Sequence, residues 1–362
     1  MRFGVCALSA NSSGCVLPGS RWGRFMGRYG AQPEPRASAT GNSAGSAPDR
    51  SSLSLCLAPP AVTRTTTTRV REVPPPLVLP DDAKHRGVRD HSHNKSSHGF
   101  SMQPTPSYVP PHGLLKGKTL LVTAAAGAGI GFAVARRALE EGCSALLISD
   151  AHERRLGEAM AGLRRDFPNA DVHGQLCDIS QQSHVDALFG LAQDKMGGID
   201  VLINNAGLGT SRRIVDMSDD EWDKVIAVTL TGTFRMIRGA LKLMQPRGRG
   251  VIVNNASVLG WRAQVEQAHY AAAKAGVMAL TRCAAMEAAE FGIRINAVAP
   301  SIAIHAFLRK SASEELLDEL AAKEAFGRAA EPWEVANVMV FLASDYSSYM
   351  TGEVVSVSSQ RA

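Results

Sequence analysis

The stretch Thr119-Leu-Leu-Val-Thr123-Ala-Ala-Ala-Gly127-Ala-Gly129-Ile-Gly131 decides how the chain is read. Its first five residues form a short apolar run, which predicts a buried strand. A glycine-rich turn follows, and residues 132–141 continue with helical spacing. Strand, tight turn and helix in that order open a parallel sheet. Glycines let a backbone approach a pyrophosphate, and the start of the next helix offers free N–H groups and a positive dipole end. Thr123, Gly127, Gly129, Ile130 and Gly131 are therefore candidate cofactor contacts.

The same alternation runs downstream. Strands are predicted at 144–149, 171–176, 201–203, 250–254, 294–299 and 353–358. Helices are predicted at 153–167, 182–196, 221–244, 268–291, 314–324 and 332–344. Apolar strands separated by helices specify a parallel sheet covered on both faces, because each crossover helix must pack back on it. Right-handed crossovers make this a doubly wound, Rossmann-type α/β domain, expected to span residues 114–362 without a second domain.

Upstream the material changes. The chain has 362 residues and a formal charge of +5. Residues 1–101 hold 13 Lys+Arg and 6 Asp+Glu, and the remainder 26 and 28. The basicity therefore sits in the first hundred residues, with 14 of the 18 prolines at or before Pro111. Residues 1–113 carry low-complexity runs and no sustained period, so a disordered tail is expected. Met102 leads directly into the first strand and is the favoured start of translation, with an organellar transit peptide the alternative for the tail. Scattered charges without a binding module argue against nucleic acid as a partner. No uninterrupted apolar run of membrane-spanning length is present. Cys143, Cys177 and Cys283 show no metal-binding spacing, which favours a reducing, cytoplasmic setting, no metal and buried thiols. His91, His93 and His98 read as a solvated run.

Two features carry chemistry. The second strand ends at Asp150, where a carboxylate accepts from adenosine ribose hydroxyls and repels a ribose phosphate, favouring NAD over NADP. Ser257 follows the fifth strand, Tyr270 comes thirteen residues later, and Lys274 lies one turn beyond on the same helix face. A phenol titrates near about 10, and an adjacent ammonium brings it toward neutral range. Ser257, Tyr270 and Lys274 are the candidate catalytic residues, suited to hydride transfer at an alcohol carbon.

These motifs, with Asp178, Asn204-Asn205-Ala206-Gly207 and Asn296-x-x-x-Pro300, resemble the short-chain dehydrogenase/reductase family over residues 114–362. The resemblance implies cofactor contacts at Asp178, Ile179, Asn205, Ala206, Gly207 and Pro300. Lys274 would bind the nicotinamide ribose and lower the Tyr270 pKa, and a homodimer or homotetramer is expected. The stretches Asn254-Asn-Ala-Ser-Val-Leu-Gly-Trp-Arg262 and Pro300-Ser-Ile-Ala303, with the chain end, resemble a bacterial steroid C/D-ring catabolic subgroup. That likeness implies NAD-dependent oxidation of a ring hydroxyl on a hexahydroindene-carboxyl-CoA ester.

Three departures stand out. Ala124 follows Thr123 where the family has glycine, in a loop one residue longer, with Gly127 expected to take the tight-turn role. Thr229 stands where the family has a relay Asn, its hydroxyl a candidate water ligand. Ser301 and His305 alter the loop over the nicotinamide. Trp261, Arg262 and His305 are candidate pocket residues, with Arg212 and Arg213 further candidates for the CoA phosphates. Residues 301–326 are expected to form a lid. Competing functions are a 3-oxoacyl-thioester reductase and a non-catalytic nucleotide sensor.

Overall fold

The computed structural model describes residues 103–304, 308–311 and 313–359. The tail upstream of residue 103, with its histidine run and Met102, lies outside the described residues, as does His305. Seven strands run β1 Thr119–Thr123, β2 Ala145–Asp150, β3 Asp171–Leu176, β4 Val201–Asn204, β5 Gly250–Asn255, β6 Ile293–Pro300 and β7 Val354–Val357. Helices are α1 Ile130–Glu140, α2 Glu153–Asp166, α3 Gln182–Met196, α4 Asp219–Ile226, α5 Thr233–Met244, α6 Ala268–Ala288, α7 Leu308–Ser311, α8 Glu314–Ala322 and α9 Pro332–Ala343. The sheet order is β3-β2-β1-β4-β5-β6-β7, with every pairing parallel. This is the doubly wound sheet expected from the sequence.

Strand alternation sorts the core into two layers. From β1, Leu120 and Val122 pack toward α1, α2 and α9, and Leu121 packs toward α3, α5 and α6. Both faces are apolar, so β1 reads as a continuous hydrophobic run. Chain order reverses between β1 and β4, which opens a crevice at the carboxyl ends of these strands. The β1–α1 turn and the segment after β4 meet there.

Two expectations change. The helix expected over 221–244 is interrupted by a π-helical segment at Ala227–Gly232. Such a turn widens the helix locally between two α-helical stretches. Residues 103–113, expected to belong to the disordered tail, lie along α1 and α9. The reason is a buried ion pair: Arg137 reaches Glu141 at 2.7 Å and donates to the carbonyls of Val109 and Pro110. Glu141 in turn accepts from the amides of His112 and Leu114, and Tyr108 meets Trp333 edge-on.

The cysteine expectation also divides. Cys177 is buried and Cys143 half-buried, and burial pushes both thiols up to about 12. Cys283 is exposed. Among the described residues, no three His, Cys, Asp or Glu side chains gather as a metal ion would need, and no helix is long and apolar enough to cross a membrane.

Candidate active site

The turn after β1 is built around strain. Ala124 adopts φ +48°, in the left-handed region, at the position where the family's glycine was missed. A residue with a Cβ pays about 1–2 kcal/mol to sit there. Two hydrogen bonds and a close helix approach surround it. Asn205 Nδ2 donates to the carbonyls of Thr123 and Ala124, and a Cβ on Gly131 would lie 2.4 Å from the Ala124 oxygen. Gly127, at φ +107°, makes a second left-handed bend. The tight turn expected at Gly127 is thus shared with Ala124.

Helix α1 then begins at Ile130 with Gly129 as N-cap, no capping side chain and no acid in its first turn. Its first amides therefore remain available to an anion. They border a cavity of about 600 Å³ at the switch point. Gly127, Gly129, Ile130 and Gly131 form its wall at the turn. Asp150, Asp178 and Ile179 line one side, and Asn205, Ala206, Gly207, Tyr270 and Lys274 the other. Open helix amides, close-approach glycines and a terminal carboxylate fit a dinucleotide. The wall also includes Arg155, together with Lys224 and Asn255, which sequence reading missed.

Two expected contacts stand back from that wall. Thr123 is fully buried, and its hydroxyl accepts from the amides of Asn205 and Ala206. It pegs the post-β4 segment beneath the turn. Pro300 closes β6 and is not among the lining residues. Asp150 is partly committed: Oδ2 accepts from Ala126 N, and Oδ1 from His152 N and Arg155 Nη2. Arg155 is thereby paired with Asp150.

On the other side of the crevice, Ser257 caps a short turn and accepts from Leu259 N at 3.2 Å. That leaves its proton free to donate. Tyr270 and Lys274 project from α6, with the Ser257 hydroxyl beside the Tyr270 phenol. Lys274 donates to Asn255 O. Burial pushes Tyr270 up to about 12, opposed by the Ser257 bond, and pulls Lys274 down to about 8. The phenol therefore keeps its proton at neutral pH and is equipped as an acid.

A buried amide chain fixes α6 against the sheet. Asn204 Nδ2 donates to Asn254 Oδ1, Asn254 Nδ2 donates to Thr281 Oγ1, and Thr281 Oγ1 donates to Val277 O. Asn254 and Thr281 are fully buried. This chain spans β4, β5 and α6; Asn204 and Asn254 stand in the quoted motifs, but Thr281 does not.

Thr229 behaves differently from the expected water ligand. Its hydroxyl accepts from Leu208 N at 3.0 Å and donates to Leu208 O at 3.1 Å, with no exposed surface. The π-helical turn places Thr229 as a clamp on the post-β4 loop. Trp261 is 47% exposed on the turn after Ser257, outside the cofactor cavity. Arg212 is bound to Glu221 at 2.9 Å, and Arg213 lies 3.9 Å from Glu266. The base of the expected lid is tied down where Ala330 N meets Ile302 O and where Glu324 accepts from Ser359.

Comparison with known proteins agrees with this geometry. A family model described as enoyl-(acyl carrier protein) reductase matches residues 124–359. The chain is 62% identical to the (5R,7aS)-5-hydroxy-7a-methyl-1-oxo-2,3,5,6,7,7a-hexahydro-1H-indene-carboxyl-CoA reductase of Mycobacterium tuberculosis, over 72% of this chain and 99% of that protein. It is 34% identical to a 3-oxoacyl-[acyl-carrier-protein] reductase of Vibrio cholerae, over 67% and 96%. A solved short-chain dehydrogenase from Mycobacterium smegmatis superposes with a TM-score of 0.64 at 57% identity, covering 72% of this chain and all of the other. With sequence, fold and family model in agreement, the chain belongs to the short-chain dehydrogenase/reductase family and is an oxidoreductase of the CH–OH group.

Proposed function

We propose that this enzyme oxidises a ring secondary alcohol of a steroid-derived hexahydroindene-carboxyl-CoA thioester to the ketone, reversibly, with NAD. The observation that carries the substrate class is the 62% identity to the M. tuberculosis reductase along nearly all of that protein. Asp150 at the end of β2 supports NAD, because its carboxylate disfavours a ribose phosphate. A cytoplasmic homodimer or homotetramer completes the reading.

The residues divide the chemistry as follows. Gly127, Gly129, Gly131, Asp150 and Lys274 would hold a nicotinamide dinucleotide, which would supply hydride transfer at the alcohol carbon. Tyr270 Oη takes the hydroxyl proton in oxidation and gives it back in reduction. Ser257 donates to the same substrate oxygen, holding it against the phenol. Lys274 would hold the cofactor ribose and, while charged, would favour the Tyr270 phenolate needed for oxidation. In the free protein the protonated phenol is already the acid for reduction, the direction in the relative's name.

The likeness to the Vibrio reductase supports a second reading, reduction of a linear 3-oxoacyl thioester by the same residues. Single-turnover NADH absorbance with the ring-hydroxylated CoA ester, beside a 3-hydroxyacyl-CoA, separates the two. Faster turnover of the ring ester is expected. Faster turnover of the linear ester would replace the first reading with the second, and no turnover of either would favour a sensor.

A further inference from the structure

The loop after β4 is gripped at both ends beside the phenol. Thr229 clamps Leu208 at its start. At its far end, Gln267 Nε2 donates to Thr210 O at 3.1 Å, and Arg212 N donates to Glu266 O at 3.1 Å. Between these grips Gly209 lies so close to Tyr270 that a Cβ would come within 2.9 Å of its ring. The segment therefore follows the face of the catalytic phenol as a fixed wall.

His269 sets the chemistry of that wall. It is fully buried, and its Nδ1 accepts from the backbone amide of Tyr270 at 2.9 Å. That amide is one of the otherwise unpaired donors in the first turn of α6, whose N-cap Gln267 supplies no capping bond. An Nδ1 that accepts fixes the neutral tautomer with its hydrogen on Nε2. Nε2 lies 2.9 Å from Thr210 Oγ1 and must be the donor there. The Thr210 hydroxyl is thus held as an acceptor from His269. Its own proton has no acceptor among the described residues, and Thr210 is exposed.

We infer that Thr210 is a substrate-orienting hydroxyl, its donor direction fixed by His269 as a positioning residue. The ligand group it takes is a carbonyl oxygen of the substrate away from the reacting carbon, such as a second ring ketone or the thioester carbonyl. This deepens the proposed function and rests on its assignment of a multiply oxygenated substrate. A donor one residue from Gly209, which lies against the phenol ring, suits a substrate that carries two oxygens in fixed relation.

The test is steady-state kinetics and cofactor affinity for Thr210→Val, Thr210→Ser, His269→Asn and the double variant Thr210→Val/His269→Asn. Asn in place of His269 keeps an acceptor near the Tyr270 amide but does not reach Thr210. Loss of one oriented hydrogen bond predicts a KM for the substrate raised about tenfold in Thr210→Val and His269→Asn. The same variants should keep kcat within about twofold and leave NADH affinity unchanged, because the lost bond contributes to ground and transition states alike. Thr210→Ser should behave as wild type, and the double variant no worse than either single one. An unchanged KM in Thr210→Val overturns the proposal. So does a joint fall in NADH affinity and melting temperature in Thr210→Val, which marks a structural role only. The kinetics are run with whichever thioester the wild type turns over, so failure of the ring ester counts against the substrate reading and not against the pair.

Discussion

Lys274 Nζ lies 5.5 Å from the centre of the Tyr270 ring and is anchored by its bond to Asn255 O. The anchor is a neutral carbonyl, so nothing in the pair offsets the burial that pulls the lysine down to about 8. A lysine with a lowered pKa carries its charge below that value and loses it above. NADH affinity, followed by fluorescence, is therefore expected to fall as pH rises through about 8. Lys274→Arg, whose guanidinium stays charged, should remove that alkaline limb, and Lys274→Met should bind weakly at every pH. An alkaline limb that survives in Lys274→Met assigns the titration to another group.

Tyr270→Phe removes the group assigned to carry the proton of the substrate oxygen. Turnover should fall by roughly 10²–10⁴-fold, the usual contribution of a positioned acid or base. NADH affinity should be retained. Substantial residual activity would show that another group moves the proton.

The strained turn offers a pair of opposed substitutions. Ala124→Gly relieves a left-handed Cβ and should raise stability by about 1 kcal/mol in urea unfolding, with cofactor affinity kept. Gly131→Ala drives a methyl to 2.4 Å from the Ala124 oxygen and 2.5 Å from Asn205 Nδ2. It should shift α1 and abolish measurable NADH binding. Tolerance of Gly131→Ala would mean that α1 is free to move away from the turn.

Thr229→Val deletes both bonds to Leu208 and leaves two backbone groups unpaired. A loss of about 1–3 kcal/mol in stability is expected. Thr229→Asn restores the family's side chain in a site already filled by the Leu208 backbone. It should lower activity, and a gain in kcat would revive the water-relay role.

Asp150→Ala removes the carboxylate that meets Ala126 N and Arg155. Freed, Arg155 becomes a cation for a ribose phosphate. The ratio of NADPH to NADH efficiency should rise by at least about tenfold. No change in that ratio would dissociate Asp150 from cofactor choice.

Strand positions were legible because a parallel sheet buried on both faces demands unbroken apolar runs, as in 119–123 and 145–150. Tyr270 and Lys274 were legible because one helical turn separates them. The role of Thr229 was not, since its hydroxyl is committed to the backbone of Leu208, 21 residues away in sequence. Thr123 shows the limit of spacing arguments: its place at the end of β1 is readable, but the direction of its hydroxyl depends on Asn205 and Ala206, some 80 residues away. The turn at Ala124 was hidden because its strain is balanced by Asn205 and Gly131, which no local propensity reports. The order of residues 103–113 likewise depends on Arg137 and Glu141, far along the chain.

The chain of side-chain bonds from Asn204 through Asn254 to Thr281 carries a consequence for how the enzyme fails. The helix bearing Tyr270 and Lys274 is riveted to the two central strands through groups sealed from solvent. It has no route to loosen alone, because freeing it strands amides in the apolar interior. Inactivation and denaturation should therefore be one event: as urea rises, catalysis should persist at full strength until the sheet itself gives way.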